Sequence, residues 1–412
     1  MKKLALVIAI AMISACFVVP AMASELKTSG QYRALAIHED PGTGEEAQYF
    51  RQRFRAQFKW LVNDNVSATL RGDFDEMTWG DGYRPDTGTD TIMVDYAFVT
   101  VKSGIFTFNV GQQAGGWAHG TLWSDQFQGI MADVDLKPVG LRFLYSKESE
   151  GGTVGDTTTD NGANDDNDIY GAGIDYKAGA YDVGFSWARL DQSSLANVSV
   201  DNTIDGYSVY TTVPFGKAVL KAEITAFSGD NGATTDYAGT QGFVSFDSPI
   251  TDAFKAGILG LYAEDVDSDE VQVTNISDDA AFNPIDFAGH LGYDRGTYTG
   301  YRGYGANGNP TFSGVTNDIF DLSGNGKGAL GLVANGQFQA TKELTLFAKL
   351  AYAEPNKNDI LESRFYALGN FDYVWMPGVV VSGGVAYVDS DYSDNRNDDA
   401  VVEGLFRLGV NF

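Results

Sequence analysis

Residues Tyr49–Trp60, reading YFRQRFRAQFKW, admit one regular conformation with a clean division of side chains. In a strand, successive side chains point to opposite faces. Arg51, Arg53, Arg55, Gln57 and Lys59 then share one face, and Phe50, Gln52, Phe54, Ala56, Phe58 and Trp60 share the other. Wound as a helix, the same cations and aromatics would be smeared around the axis. A strand divided this way needs apolar surroundings on one side and water on the other.

The rest of the chain repeats the theme. Tyr181, Val183, Phe185 and Trp187 oppose Asp182, Gly184, Ser186 and Ala188 in the same alternation. Eighteen such segments run from Leu26–His38 to Ala400–Phe412, and no stretch has helical periodicity of any length. Tight turns such as Asn63-Asp64-Asn65, Ser103-Gly104, Phe215-Gly216 and Pro377-Gly378 alternate with longer polar connections. Short periplasmic turns, long external loops, an even strand number and alternating faces characterise outer-membrane barrels. Soluble sandwiches also repeat short strands, but nothing in them requires strict long–short alternation. The expectation is an all-β chain: a transmembrane antiparallel β-barrel of about eighteen strands, with sixteen as the alternative count. A large secreted all-β protein is the competing reading.

Residues 1–23 read as a cleaved signal peptide, with Lys2 and Lys3 before the apolar Leu4–Val19 and Ala21-Met22-Ala23 as the cleavage site. Ile13-Ser14-Ala15-Cys16 loosely fits a lipoprotein signal, but apolar rather than polar residues follow it. Cleavage after Ala23 removes the single Cys, leaving no thiol or disulfide chemistry. No later segment approaches the ~18–20 apolar residues of a transmembrane helix. Residues 24–412 therefore form one barrel domain. A formal charge of −27 argues against nucleic acid as a partner.

The basic row has neighbours. Arg33 shares a face with Lys27, Ser29 and Gln31, and Arg71 shares one with Ser67, Thr69, Asp73 and Asp75. Adjacent strands lie about 4.8 Å apart, so Arg33, Arg51, Arg53, Arg55, Lys59, Arg71, Asp73 and Asp75 can form one wall patch. Facing lipid at mid-depth, each Arg would cost roughly 2–4 kcal/mol, so the patch is expected to face the lumen. Residues 114–126, with Gly115, Gly116, Trp117, His119, Trp123 and Asp125, are expected to fold inward as a constriction loop. Asp125 opposite the basic stripe would set a transverse field for polar solutes. The bland readings are an ion-pair network in the wall and a loop lying on the rim.

Residues 267–327 are expected to form a long external loop. Its carboxylates suit a solvated face, or bridging to lipopolysaccharide through divalent cations. Tyr293, Tyr298, Tyr301 and Tyr304 suit a folded cap, a subunit contact or sugar stacking. His38, His119 and His290 have no metal-ligand spacing, and no Gly-x-Ser-x-Gly elbow occurs. No metal, cofactor or enzymatic activity is expected.

The final strand places Val402, Gly404, Phe406, Leu408, Val410 and Phe412 on one face. With this ending, and with Phe50–Arg55, Val62–Val66, Phe74–Gly80, Val94–Phe98 and Gly104–Gln112, the chain resembles the trimeric general porins of Gram-negative bacteria. It is more closely similar to the homotrimeric porins of sulfate-reducing and related bacteria. The resemblance covers roughly residues 25–135 and the last strand. It implies a homotrimer in the outer membrane, in contact with lipid and lipopolysaccharide, and passive diffusion of small hydrophilic solutes and ions. It also implies recognition by the barrel-assembly machinery through Phe412. Two departures stand out: the resembling porins usually have sixteen strands, and the candidate constriction loop carries one carboxylate instead of an acidic cluster. A substrate-selective porin for anions or sugars, and a non-conducting scaffold or adhesin, are the other readings.

Overall fold

The computed structural model describes residues 25–40, 46–79, 92–149, 167–192, 202–230, 236–276, 303–304, 310–311, 320, 322, 326–394 and 400–412. The side chains of residues 39, 47, 75–78, 92, 148–149, 303–304 and 310–311 lie outside this description, as does the signal segment 1–23.

The ring begins with β1 (Glu25–Asp40), β2 (Ala47–Asn63), β3 (Val66–Thr78), β4 (Ile92–Ser103), β5 (Phe106–Gly116) and β6 (Ser124–Asp135). It continues through β7 (Val139–Ser149), β8 (Asn167–Ala178), β9 (Tyr181–Gln192), β10 (Asn202–Phe215), β11 (Ala218–Asp230) and β12 (Asp236–Pro249). The last third is β13 (Phe254–Ala263), β14 (Ala329–Gln339), β15 (Leu344–Glu354), β16 (Leu361–Met376), β17 (Val379–Tyr392) and β18 (Val401–Asn411). Each strand pairs antiparallel with the next, and β1 pairs with β18, so the eighteen strands close on themselves. Closure leaves no unpaired sheet edge in the ring. Eighteen is thus the strand number, not sixteen. Glu270–Gln272 lies outside the ring and pairs parallel with the start of β12.

Connections after even-numbered strands are two to four residues long, as at Asp64-Asn65, Gly104-Ile105 and Pro377-Gly378. Those after odd-numbered strands are longer. Gly104, Gly179, Gly216 and Gly378 take positive φ in the tight turns, where a side chain would be strained. The start of β1 and the end of β18 both fall at this short-turn end. There the Gly30 N–H donates to the Phe412 carbonyl at 2.8 Å, and the Phe412 N–H donates to Gly30 at 3.1 Å. The Phe412 ring stacks on Phe54 at 5.8 Å.

Period-two patterning sorts the two faces. Outward side chains are large, apolar and exposed, among them Phe54, Leu70, Phe185, Val209, Ile224, Val244, Leu332 and Leu350. At the short-turn end the outward positions become a girdle: Leu26, Trp60, Tyr181, Phe215, Trp375 and Phe412 are all more than half exposed. Inward positions carry Ser, Thr, Gln, Arg and Asp, together with two apolar clusters. One joins the inner faces of β1 and β12–β18 to Phe320 and Leu322; the other joins Leu144, Ile169, Ile204 and Phe227 to Trp117, Leu122, Trp123, Val273 and Ile276.

Two expected segments change shape. Residues 114–116 and 124–126 belong to β5 and β6, paired to the level of Gly116 and Ser124, so the insertion is only Trp117–Trp123. The ladder continues because Gly115, Gly116, Ser124 and Asp125 all find backbone partners. In 267–327, the described residues Val273, Ile276, Phe320 and Leu322 are buried inside the ring instead of lying in solvent. Their apolar side chains gain more from the inner wall than from water. The rest of that segment, with Tyr293, Tyr298 and Tyr301, lies outside the described residues.

Candidate functional site

The cation row takes its geometry from strand pairing. On β1 and β2, Arg33 stands opposite Arg53, Gln31 opposite Arg55 and Leu35 opposite Arg51. All lie on the inner face, and Arg33, Arg51 and Arg53 are 3–5% exposed. So many guanidiniums at contact distance would repel one another unless anions intervened. The next strand supplies them. Arg55 grips Asp73 through two parallel bonds, Nε to Oδ1 at 2.6 Å and Nη2 to Oδ2 at 2.7 Å, the geometry in which a guanidinium binds a carboxylate best. Arg53 Nη1 lies 3.6 Å from the same carboxylate.

Asp95 completes the set. The β3–β4 register shifts between Arg71 and Gly72, which pair with Tyr96 and Val94 and leave Asp95 as the extra residue of a β-bulge. Both Asp95 and Tyr96 then meet Arg71. Arg71 Nε donates to Asp95 Oδ2 at 2.9 Å, Arg55 Nη2 reaches the same oxygen at 2.9 Å, and the Arg71 guanidinium lies 3.4 Å from the Tyr96 ring centroid. Arg53, Asp73, Arg55, Asp95 and Arg71 therefore form one chain of alternating charge. Arg33 and Arg51 adjoin it, and so does Arg407 of β18, which stands opposite Leu35 and donates to Ser382 Oγ at 2.9 Å. Lys59 shares the inner face but is exposed near the short-turn end, opposite Lys27. The side chain of Asp75 lies outside the described residues.

Asp125 is on β6, opposite Gly115, and shares the inner face with Phe127 and Met131. Only β3, β4 and β5 lie between it and β2 in the eighteen-strand ring, so it occupies an adjoining arc and not the opposite wall. What stands opposite is the inserted loop. Trp117–Trp123 leans onto β8–β12, and β11 is nine strands from β2. Its turn is closed by the Trp117 N–H on the Trp123 carbonyl, with Ala118 and Gly120 at positive φ. Gly171 leaves the space that the Trp117 ring occupies, and Gly206 does the same for Leu122.

Four polar groups hold the loop. The Glu223 carboxylate accepts from the His119 N–H at 3.0 Å and from Ser208 Oγ at 2.7 Å. The Thr121 and Thr225 hydroxyls meet at 2.5 Å. Gln241 Nε2 donates to the carbonyls of Thr121 and Thr274, tying the second inward segment to the first. These anchors were invisible as a site in the sequence because they are ordinary inward-facing polar residues. Beneath the loop lies a cavity of about 550 Å³, lined by Lys221, Asp247, Ser245, Asn335, His119 and Phe243 among others. Outside the strands, Lys357 bonds Asp265, joining the connection after β13 to that after β15 and holding the Asp265 carboxyl below its usual range.

No protein-family model matches the chain, and no curated protein matches it. Solved structures do. Pseudomonas aeruginosa OccK9 (OpdG) is similar at 15% identity with a TM-score of 0.61, covering 94% of this chain and 98% of its own. The outer membrane protein opdK from Pseudomonas aeruginosa is similar at 10% identity and a TM-score of 0.61, with the same coverage of both chains. Pseudomonas aeruginosa OccK2 (OpdF), solved in complex with glucuronate, is similar at 12% identity and a TM-score of 0.58, again over 94% of this chain and 98% of that one. At such identities the likeness is one of fold: this chain is a porin-type barrel over nearly its whole length.

Proposed function

We propose that the chain is a porin of the Gram-negative outer membrane, forming a water-filled channel for passive diffusion of small hydrophilic solutes and ions. The observation that carries this reading is the sorting of faces: a closed ring with an apolar, aromatic-girdled exterior and a charged, hydrogen-bonded interior. Such a ring satisfies every ladder group without water and fits a hydrocarbon surrounding. The driving force is the solute gradient, and no catalytic constellation or cofactor enters. Arg33, Arg51, Arg53, Arg55, Arg71 and Asp73, with Asp95, line the pore opposite the inserted loop.

Substrate selectivity is the second reading, favoured by the inserted loop and the arginine wall together. Arginine side chains in a water-poor passage favour anions, and a structural neighbour was solved with glucuronate, itself an anion. At the long-connection end, outward-facing Lys147–Asp168 and Arg189–Asp205 pairs sit beside Tyr145, Tyr170 and Trp187. This band suits contact with lipopolysaccharide head groups. Assembly as a homotrimer and recognition through Phe412 follow from the resemblance to trimeric porins.

Planar-bilayer recording of the purified protein tests the whole reading. Stepwise conductance is expected, with steps in groups of three for a trimer and current blocked by an organic anion for a selective channel. A protein that inserts but never conducts would be a scaffold and would overturn the proposal.

A further inference from the structure

Along much of the lumen wall opposite charges are paired. Arg55 and Arg71 are neutralised by Asp73 and Asp95, and Arg142 by Asp133, whose Oδ1 lies 2.6 Å from Arg142 Nε. In the cavity beneath the inserted loop the pattern breaks. Lys221 of β11 and Asp247 of β12 both line it, and among the described residues neither has a hydrogen-bond or ion-pair partner.

Register makes them neighbours, and the direction of the Asp247 side chain keeps them apart. Lys221 is directly opposite Ser245, and Asp247 is opposite Val219. The two are therefore diagonal neighbours, roughly 7–8 Å apart, a separation that a long side chain can span. Gly257, facing Asp247, leaves room for its carboxylate beside Asn335. Above, the cavity is roofed by residues 116–120 of the inserted loop; Phe243, Leu259 and Val333 provide an apolar side.

We propose that this cavity is a binding site for a small zwitterionic solute, an α-amino acid with a short side chain, on its way through the channel. The solute's carboxylate meets Lys221 Nζ, its ammonium meets the Asp247 carboxylate, and its side chain lies against the apolar side. One cation and one anion lining the same cavity recognise a molecule carrying both charges, whereas a simple anion or cation meets one attractive and one repulsive group. The inserted loop lies over this point of the lumen, so a solute crossing there has both charges within reach.

This inference rests on the channel reading, and the experiment separates the two. Potassium current through the full-length protein in a planar bilayer is titrated with serine, with glycerate, which has a hydroxyl in place of the ammonium, and with ethanolamine, which lacks the carboxylate. Serine is expected to reduce the current at a concentration about tenfold below either analogue, as expected for one lost charged hydrogen bond. Lys221→Met is expected to abolish the preference over ethanolamine, and Asp247→Asn the preference over glycerate. A conducting channel that the three solutes block equally would overturn the site, as would a serine preference that survives both substitutions. Absence of any conductance would overturn the channel reading and the site with it.

Discussion

At the scale of single residues, the lumen wall is a problem of charge balance. Arg55 holds Asp73 by two bonds and Asp95 by a third, with side-chain exposures of 16%, 6% and 9%. Arg55→Gln leaves Asp73 with Arg53 at 3.6 Å and Asp95 with Arg71, and is expected to destabilise the barrel by roughly 1–3 kcal/mol through the charged bonds lost. Adding Asp73→Asn should recover part of that loss, because a neutral amide is easier to bury than a poorly paired charge. Urea unfolding from lipid vesicles measures both. The residues also show what was legible from the sequence. The inward face of Arg33, Arg51, Arg53 and Arg55 could be read from parity alone. Asp95 could not: counted by twos along β4 it falls with the outward Ala97 and Val99, and only the bulge turns it inward. A bulge is a pairing event between two strands, and a period-two count along one strand does not contain it.

Among the elements, the strands were legible and the seats of the insertions were not. All eighteen strands announce themselves by alternation and turn residues, whereas the fate of a connection depends on the wall it meets. Trp117–Trp123 is seated because Gly171 and Gly206, each on a distant strand, leave hollows for Trp117 and Leu122. Gly171→Val is expected to push Trp117 off its seat. The barrel should lose about 1–3 kcal/mol of stability through overpacking while its single-channel conductance rises. An unchanged conductance would mean the loop does not narrow the path. Outside the strands, the Asp265–Lys357 bond depresses the carboxyl. A lowered folded-state value adds stability above the ordinary carboxylate range near 4, and that contribution is lost as pH falls through the depressed value. Amide exchange at residues 264–266 should therefore stay slow at pH 5 and accelerate in stronger acid, whereas Asp265→Asn should make it fast throughout.

For the molecule as a whole, the contrast between its net charge and its wall matters most. The chain carries a formal charge of −27, yet the described inner wall of β1–β3 is rich in guanidinium groups. Replacing Arg33, Arg51 and Arg53 together by Gln is expected to move the reversal potential in a salt gradient toward cations. An unaltered potential would take these residues out of the permeation path. The ring itself also has a temporal side. Its closing ladder joins β1 to β18, and the Gln31–Asn411 contact at the seam spans 380 residues. Until the last strand has been made, the first has no partner on one flank, and its unpaired N–H and C=O groups are open to any passing strand. Contacts so far apart in sequence form slowly. The ring is therefore a clock as well as a container: its first strand must be shielded for as long as the other seventeen take to arrive.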